Sequence, residues 1–182
     1  DGSGNLEDLD LTGQSLHGTI PTWIGGLTAL TDDFKLDQNT ITGALPTELG
    51  MLTSITANLL LASNAITGTI PSELGMVEAL VSGFTLNDNR IGGSVPSELG
   101  ELGDTLTHTF QLGSNNLTDA LPTELGGLTQ LVSSFTAGSN RVGGRVPTEL
   151  GRLSLLTELF DLHANRLSKE TPTELGQLSA LQ

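Results

Sequence analysis

The sequence predicts an α/β solenoid: one parallel β-sheet along one side and short helical turns opposite, in about seven coils forming a single domain over residues 1–182. Three observations predict it. A proline-centred segment returns every 25 residues, at Pro21, Pro46, Pro71, Pro96, Pro122, Pro147 and Pro172, with one spacing of 26. Apolar residues fill fixed columns of that repeat, and an asparagine recurs after each expected strand. A period in this range marks units that bury their apolar faces only against one another.

The strand comes first in each coil. Phe34-Lys35-Leu36, Phe84-Thr85-Leu86, Phe110-Gln111-Leu112 and Phe160-Asp161-Leu162 alternate apolar and polar, the pattern of a half-buried strand. Every phenylalanine falls in one column (Phe34, Phe84, Phe110, Phe135, Phe160), with Leu9 and Leu59 filling its gaps. Stacked coils then form a spine of rings. Next come Asn39, Asn64, Asn89, Asn115, Asn140 and Asn165, with Gln14 in that slot of the first coil. An inward asparagine there is expected to bond the backbone of its own turn and of the next coil.

The rest of the coil is turn and core. In Pro-Thr/Ser-Glu-Leu-Gly, the proline opens a short helical turn. Glu48, Glu73, Glu98, Glu124, Glu149 and Glu174 then stand near its positive end. Glycines are read as turn residues. Core columns run Leu16, Ile41, Ile66, Ile91, Leu117, Val142, Leu167 and Leu27, Leu52, Val77, Leu102, Leu128, Leu153, Leu178.

Composition excludes several functions. With 21 acidic against 7 basic residues the net charge is −14, which repels nucleic acid and anionic membrane surfaces. No run approaches the roughly 18 apolar residues of a membrane span, so this segment does not insert in a membrane. Cysteine is absent, which removes disulfide caps and thiol catalysis. His17, His108 and His163 fall in different coils, a spacing that offers no triad and no paired metal ligands. Neither phosphate-binding glycine motif occurs. The chain therefore reads as no enzyme, with no cofactor.

The run Asn39-Thr40-Ile41-Thr42-Gly43-Ala44-Leu45-Pro46-Thr47-Glu48-Leu49-Gly50 and its counterpart from Asn64 to Gly75 resemble the leucine-rich repeat family in its plant-type subclass. The resemblance covers essentially the whole chain. It implies a curved right-handed coil with 3-10 or helical turns, and a sheet face that binds protein or glycan partners. It also implies a receptor ectodomain or a secreted or luminal scaffold, hence an extracellular, cell-surface or luminal location. One departure is an extra residue between Leu30 and Phe34, which makes the unit more like those of algal and diatom proteins. It predicts a bulge or wider turn before each strand. The pattern starts within a strand unit and stops after Leu178-Ser179-Ala180-Leu181. The expectation is a segment of a longer protein, or ends covered by a partner or larger assembly.

On the implied face the candidate partner-binding residues are Asp8, Asp10, Asp32, Asp33, Lys35 and Asp37 in the first coils. Asn58, Thr85, Asn87, His108, Gln111 and Thr136 follow, and Glu158, Asp161 and His163 close the set. The acidic group reads first as a solvated face, with a basic partner or a hard cation as alternatives. Without large aromatics, contacts there are polar and shallow. Trp23 replaces glutamate in the first coil and is read as covering the N-terminal end. Asn116-Leu117-Thr118 is the one N-glycosylation pattern, expected on a turn after the strand. Two other readings compete: a structural subunit of a larger assembly, and an ice-binding solenoid. The second rests on Thr42, Thr67 and Thr118 beside Thr19 and Thr69, columns broken by Ala44, Gly92, Gly143 and Arg145.

Overall fold

A computed structural model describes residues 6–168 and 170–181. Its strands, in chain order, are β1 Leu9–Asp10, β2 His17–Thr19, β3 Asp33–Lys35, β4 Thr40–Thr42, β5 Asn58–Leu60 and β6 Gly83–Thr85. They continue as β7 Gly92–Gly93, β8 Thr109–Gln111, β9 Asn116–Leu117, β10 Ser134–Thr136 and β11 Leu159–Asp161. Seven of them form one parallel sheet in the order β1-β3-β5-β6-β8-β10-β11. Register follows the repeat: Leu9 pairs Phe34, Phe34 pairs Leu59, Leu59 pairs Phe84, and the column ends with Phe135 beside Phe160. Each of these strands defines one coil, numbered first to seventh below.

Opposite the sheet lie 3-10 turns, among them Thr47–Met51, Ser72–Met76, Thr123–Gly127 and Thr148–Arg152. Each opens after a proline in extended conformation, as at Pro46 with φ −73°. The turns are short because the leucine amide closes at once on the proline carbonyl, as Leu49 N to Pro46 O at 3.1 Å. The glutamates do stand in the first turn, but none of these turns has a side-chain cap hydrogen bond. Instead the preceding hydroxyl donates to the glutamate, as Thr148 Oγ1 to Glu149 Oε2 at 3.1 Å.

The core is the stacked interior. Phe84, Phe110, Phe135 and Phe160 stack at centroid separations of 5.4, 5.5 and 5.6 Å, nearly parallel. Phe34 is fully buried across the gap filled by Leu59. Columns wholly buried in the middle coils become half-buried at Leu9, Leu16, Leu27, Leu167 and Leu178, toward the two ends of the described stack.

The asparagine ladder works backward, not toward the next coil as expected. Asn140 Oδ1 accepts the Leu117 amide at 3.0 Å, and its Nδ2 donates to Leu112 O at 3.0 Å, both in the preceding coil. The same Nδ2 reaches Ala137 O and Gly138 O of its own turn. Asn39, Asn64, Asn89, Asn115 and Asn165 repeat the pattern. These amides and carbonyls would otherwise lie unpaired inside a turn.

In the fourth, sixth and seventh coils the extra residue before the strand is absorbed by doubled hydrogen bonds. Ser133 N and Ser134 N both donate to His108 O, and Glu158 N and Leu159 N both donate to Ser133 O. This is the wider turn the repeat length predicts. A lateral face, between sheet and 3-10 turns, carries the pairs β2–β4 and β7–β9.

Candidate functional site

The outward positions of the sheet form three zones. In the first two coils Lys35 forms an ion pair with Asp33 and lies 3.9 Å from Asp10. The hydrogen bond to Asp33 raises the lysine above its ordinary pKa. Asp37 accepts the Thr12 hydroxyl at 3.2 Å. Asp8 and Asp32 are exposed. Part of this acidic group is thus already neutralised. Among the described residues no three of His, Cys, Asp and Glu gather closely enough to hold a metal ion.

The middle zone is small and neutral. Thr85 and Thr136 were expected as contact residues, yet each is only 9% exposed. Short side chains between strands about 4.8 Å apart are shielded by their neighbours. Ser134 is buried beside them, and Gln111 Nε2 donates to Ser134 Oγ at 3.2 Å. Gly83 continues the floor, packed between Asn58 and Thr109. Asn58 Nδ2 donates to Asp33 Oδ1 at 2.8 Å, which ties this zone to the acidic one. Asn87 donates to Asp88 at 2.7 Å, while its Oδ1 is buried without a partner. His108 is exposed, with Nδ1 2.8 Å from Thr107 Oγ1.

At the far end, coil stacking joins residues that sequence spacing separates. Asp161 Oδ1 accepts the His163 amide at 2.8 Å and lies 2.7 Å from His163 Nδ1. His163 Nε2 is 3.1 Å from Ser139 Oγ. Partial burial opposes the Asp161 charge, but hydrogen bonds from the His163 amide and ring outweigh it and hold the carboxyl below its usual range. Gly138 makes room: a Cβ there would fall 2.6 Å from His163 Nδ1.

The expectation of no triad therefore needs correction, since serine, histidine and aspartate are connected in that order. The missed signal was the coil offset, with Ser139 and His163 24 residues apart. Acyl transfer also needs preorganised donors for an oxyanion. Here the Ser139 amide is spent on His163 O at 2.8 Å and the Asn140 amide on Ala164 O at 3.2 Å. The His163 side chain is 66% exposed. The trio is a surface hydrogen-bond network at the seventh coil.

One other expectation changes. Asn116 is exposed, but on strand β9 of the lateral face, not on a turn. Trp23 is 68% exposed and lines an apolar hollow of about 300 Å³ with Leu6, Leu11, Leu16 and Leu27.

The family model described as Leucine Rich Repeat matches residues 5–27. No curated protein matches the sequence. The ectodomain of the Arabidopsis thaliana membrane receptor kinase GASSHO1/SCHENGEN3, solved in complex with CASPARIAN STRIP INTEGRITY FACTOR 2, is 35% identical over 91% of this chain, with a TM-score of 0.80. A TDR receptor is 32% identical over 97% of the chain, with a TM-score of 0.88. The chain spans only 19% and 29% of those two proteins. A plant ice-binding protein, 21% identical over 92% of this chain and matched over 67% of its own, shares the fold with a TM-score of 0.61.

Proposed function

The chain belongs to the leucine-rich repeat family in its plant-type subclass, and on that premise we propose that it is a recognition module whose sheet face holds an extended, basic segment of a partner protein. One observation carries this reading. The face has a floor of small side chains, Gly83, Thr85, Ser134, Thr136 and Gly138, between zones bearing Asp8 and Asp32 at one end and Glu158 and Asp161 at the other. A narrow neutral floor between acidic ends accepts an extended backbone and favours lysine or arginine at its ends.

The relatives support the class of partner. GASSHO1/SCHENGEN3 was solved with CASPARIAN STRIP INTEGRITY FACTOR 2, and PEPR1, 25% identical with a TM-score of 0.70, with AtPEP1. As part of a receptor ectodomain or of a secreted or luminal scaffold, the chain would work outside the cytoplasm, without catalysis and without a cofactor.

The test is selection of random linear peptides on the intact chain, followed by affinity measurement. Expected binders are rich in Lys and Arg and lose about tenfold or more in affinity, roughly 1.4 kcal/mol, on Glu158→Lys or on Gln111→Arg. Peptides without basic bias, or variants that bind as tightly as the parent, overturn the reading.

A further inference from the structure

On the lateral face, away from the sheet, we propose a second binding surface, for a linear polysaccharide bearing one carboxylate per sugar. Its basis is a row of arginines. Arg90, Arg141 and Arg166 occupy the same repeat position, directly after ladder asparagines Asn89, Asn140 and Asn165. They are three of only seven basic residues in a chain of net charge −14. All three side chains are exposed. Among the described residues none of them stands within ion-pair distance of a carboxylate. The fifth coil interrupts the row with Asn116, itself polar and exposed.

The backbone beneath is held by coil-to-coil hydrogen bonds. The amides of Arg90, Arg141 and Arg166 donate to Ile66, Leu117 and Val142 carbonyls of the preceding coils, at 2.8 Å each. Ile91, Leu117 and Val142 anchor this stretch in the core. Two residues further along each coil the side chains are small, Gly92, Thr118, Gly143 and Ser168, with exposed Asp119 following Thr118 in the fifth coil. A Cβ on Gly143 would meet nothing within 4 Å, so the surface there is open.

Charge spacing selects the ligand class. The row offers single, separated cations, in the fourth, sixth and seventh coils. Duplex nucleic acid presents a charge every ~1.7 Å of its axis, far denser than these arginines, and it meets the repulsion of an acidic body. A polyuronate carries isolated carboxylates along a stiff chain, and each fits the planar fork of a guanidinium in two parallel hydrogen bonds. The net negative charge does not cancel the row at close range, because fields from exposed charges are screened within about 8 Å at physiological salt.

The test is binding of polygalacturonate to the intact chain by calorimetry, with dextran as neutral control and duplex DNA as dense polyanion. The expected result is salt-sensitive binding of polygalacturonate and none of dextran. The variant Arg90→Gln/Arg141→Gln/Arg166→Gln should lose about tenfold or more. Arg152→Gln, which removes a cation from the 3-10 turn Thr148–Arg152, should bind as the parent does. Absence of binding at low salt, an unaffected triple variant, equal loss in Arg152→Gln, or tighter binding of DNA each overturns the proposal. Unfolding curves of all variants, expected to coincide with the parent, show that any loss is not loss of fold.

Discussion

Gly50 lies directly against the Glu73 backbone of the following coil, where a Cβ would collide with the Glu73 carbonyl. Gly75 meets Glu98 and Gly151 meets Glu174 in the same way. The glycine of Pro-Thr/Ser-Glu-Leu-Gly is therefore there for close approach of successive 3-10 turns. The glycines that hold positive φ are others, such as Gly43 at +78°.

Gly75→Ala should thus destabilise the fold by about 1–3 kcal/mol, the range for overpacking a filled interior. The obstacle is backbone and cannot rotate away. Gly26→Ala has nothing within 4 Å and no positive φ, and should change stability by no more than about 0.5 kcal/mol. Urea unfolding of the two variants checks the contrast.

Asn140→Ala removes one acceptor and three donor contacts from a buried turn. Each buried group left unpaired costs about 1–3 kcal/mol, with incomplete additivity. A loss of about 3 kcal/mol or more is expected. The Leu117 amide, which donates to Asn140 Oδ1, should lose hydrogen-exchange protection first. A loss below about 1 kcal/mol would show that water replaces the side chain.

The coil, its strand and the phenylalanine column were legible in the sequence because each repeats, and stacking needs the same residue type at the same place. The direction of the asparagine bonds was not, since Asn64 has backbone within reach of either neighbour in a linear pattern. Burial of Thr85 and Thr136 escaped for a related reason: alternation shows which way a side chain points, but not how closely the adjacent strands shield it. The Ser139–His163–Asp161 contact was hidden because its members belong to different columns. They meet only because Gly138 leaves space between coils.

Asp161 sets a pH dependence. Its folded carboxyl lies below its usual range, against partial burial, through the His163 amide and ring. A carboxyl with a depressed folded pKa stabilises the fold above its unfolded value, about 3.9. That contribution is lost as pH falls through the folded value. The seventh coil should therefore loosen below about pH 4, and His163→Ala should bring the Asp161 titration back toward the ordinary value. Carboxyl carbon NMR shifts of Asp161 report both effects.

The threonine columns give no continuous array. Thr42 and Thr67 are followed by Gly92 and then by Thr118 and Gly143, while the Thr40 and Thr42 hydroxyls donate to Leu16 O and Gly18 O of the coil before. With Arg90, Arg141 and Arg166 in the neighbouring column of the fourth, sixth and seventh coils, these residues should not order water as a lattice. A dilute solution should show no thermal hysteresis. A measurable freezing gap would overturn this and favour the ice-binding reading.

Ser139 should be inert as a nucleophile. Its hydroxyl is 3.1 Å from His163 Nε2, and Asp161 orients the ring, so a base is in place. A base alone does not stabilise a tetrahedral oxyanion, and loss of a single oxyanion donor costs an established serine enzyme about 10²–10³ in rate. Here the amides of Ser139 and Asn140 are both committed to carbonyls of the seventh coil. Freeing them would unpair the turns that follow β10 and β11. Treatment with a fluorophosphonate followed by peptide mass analysis should leave Ser139 unmodified, with the Ser139→Ala variant giving the same spectrum elsewhere. Stoichiometric labelling at Ser139, lost on His163→Ala, would mean that the network supports covalent chemistry and that the sheet face is more than a binding surface.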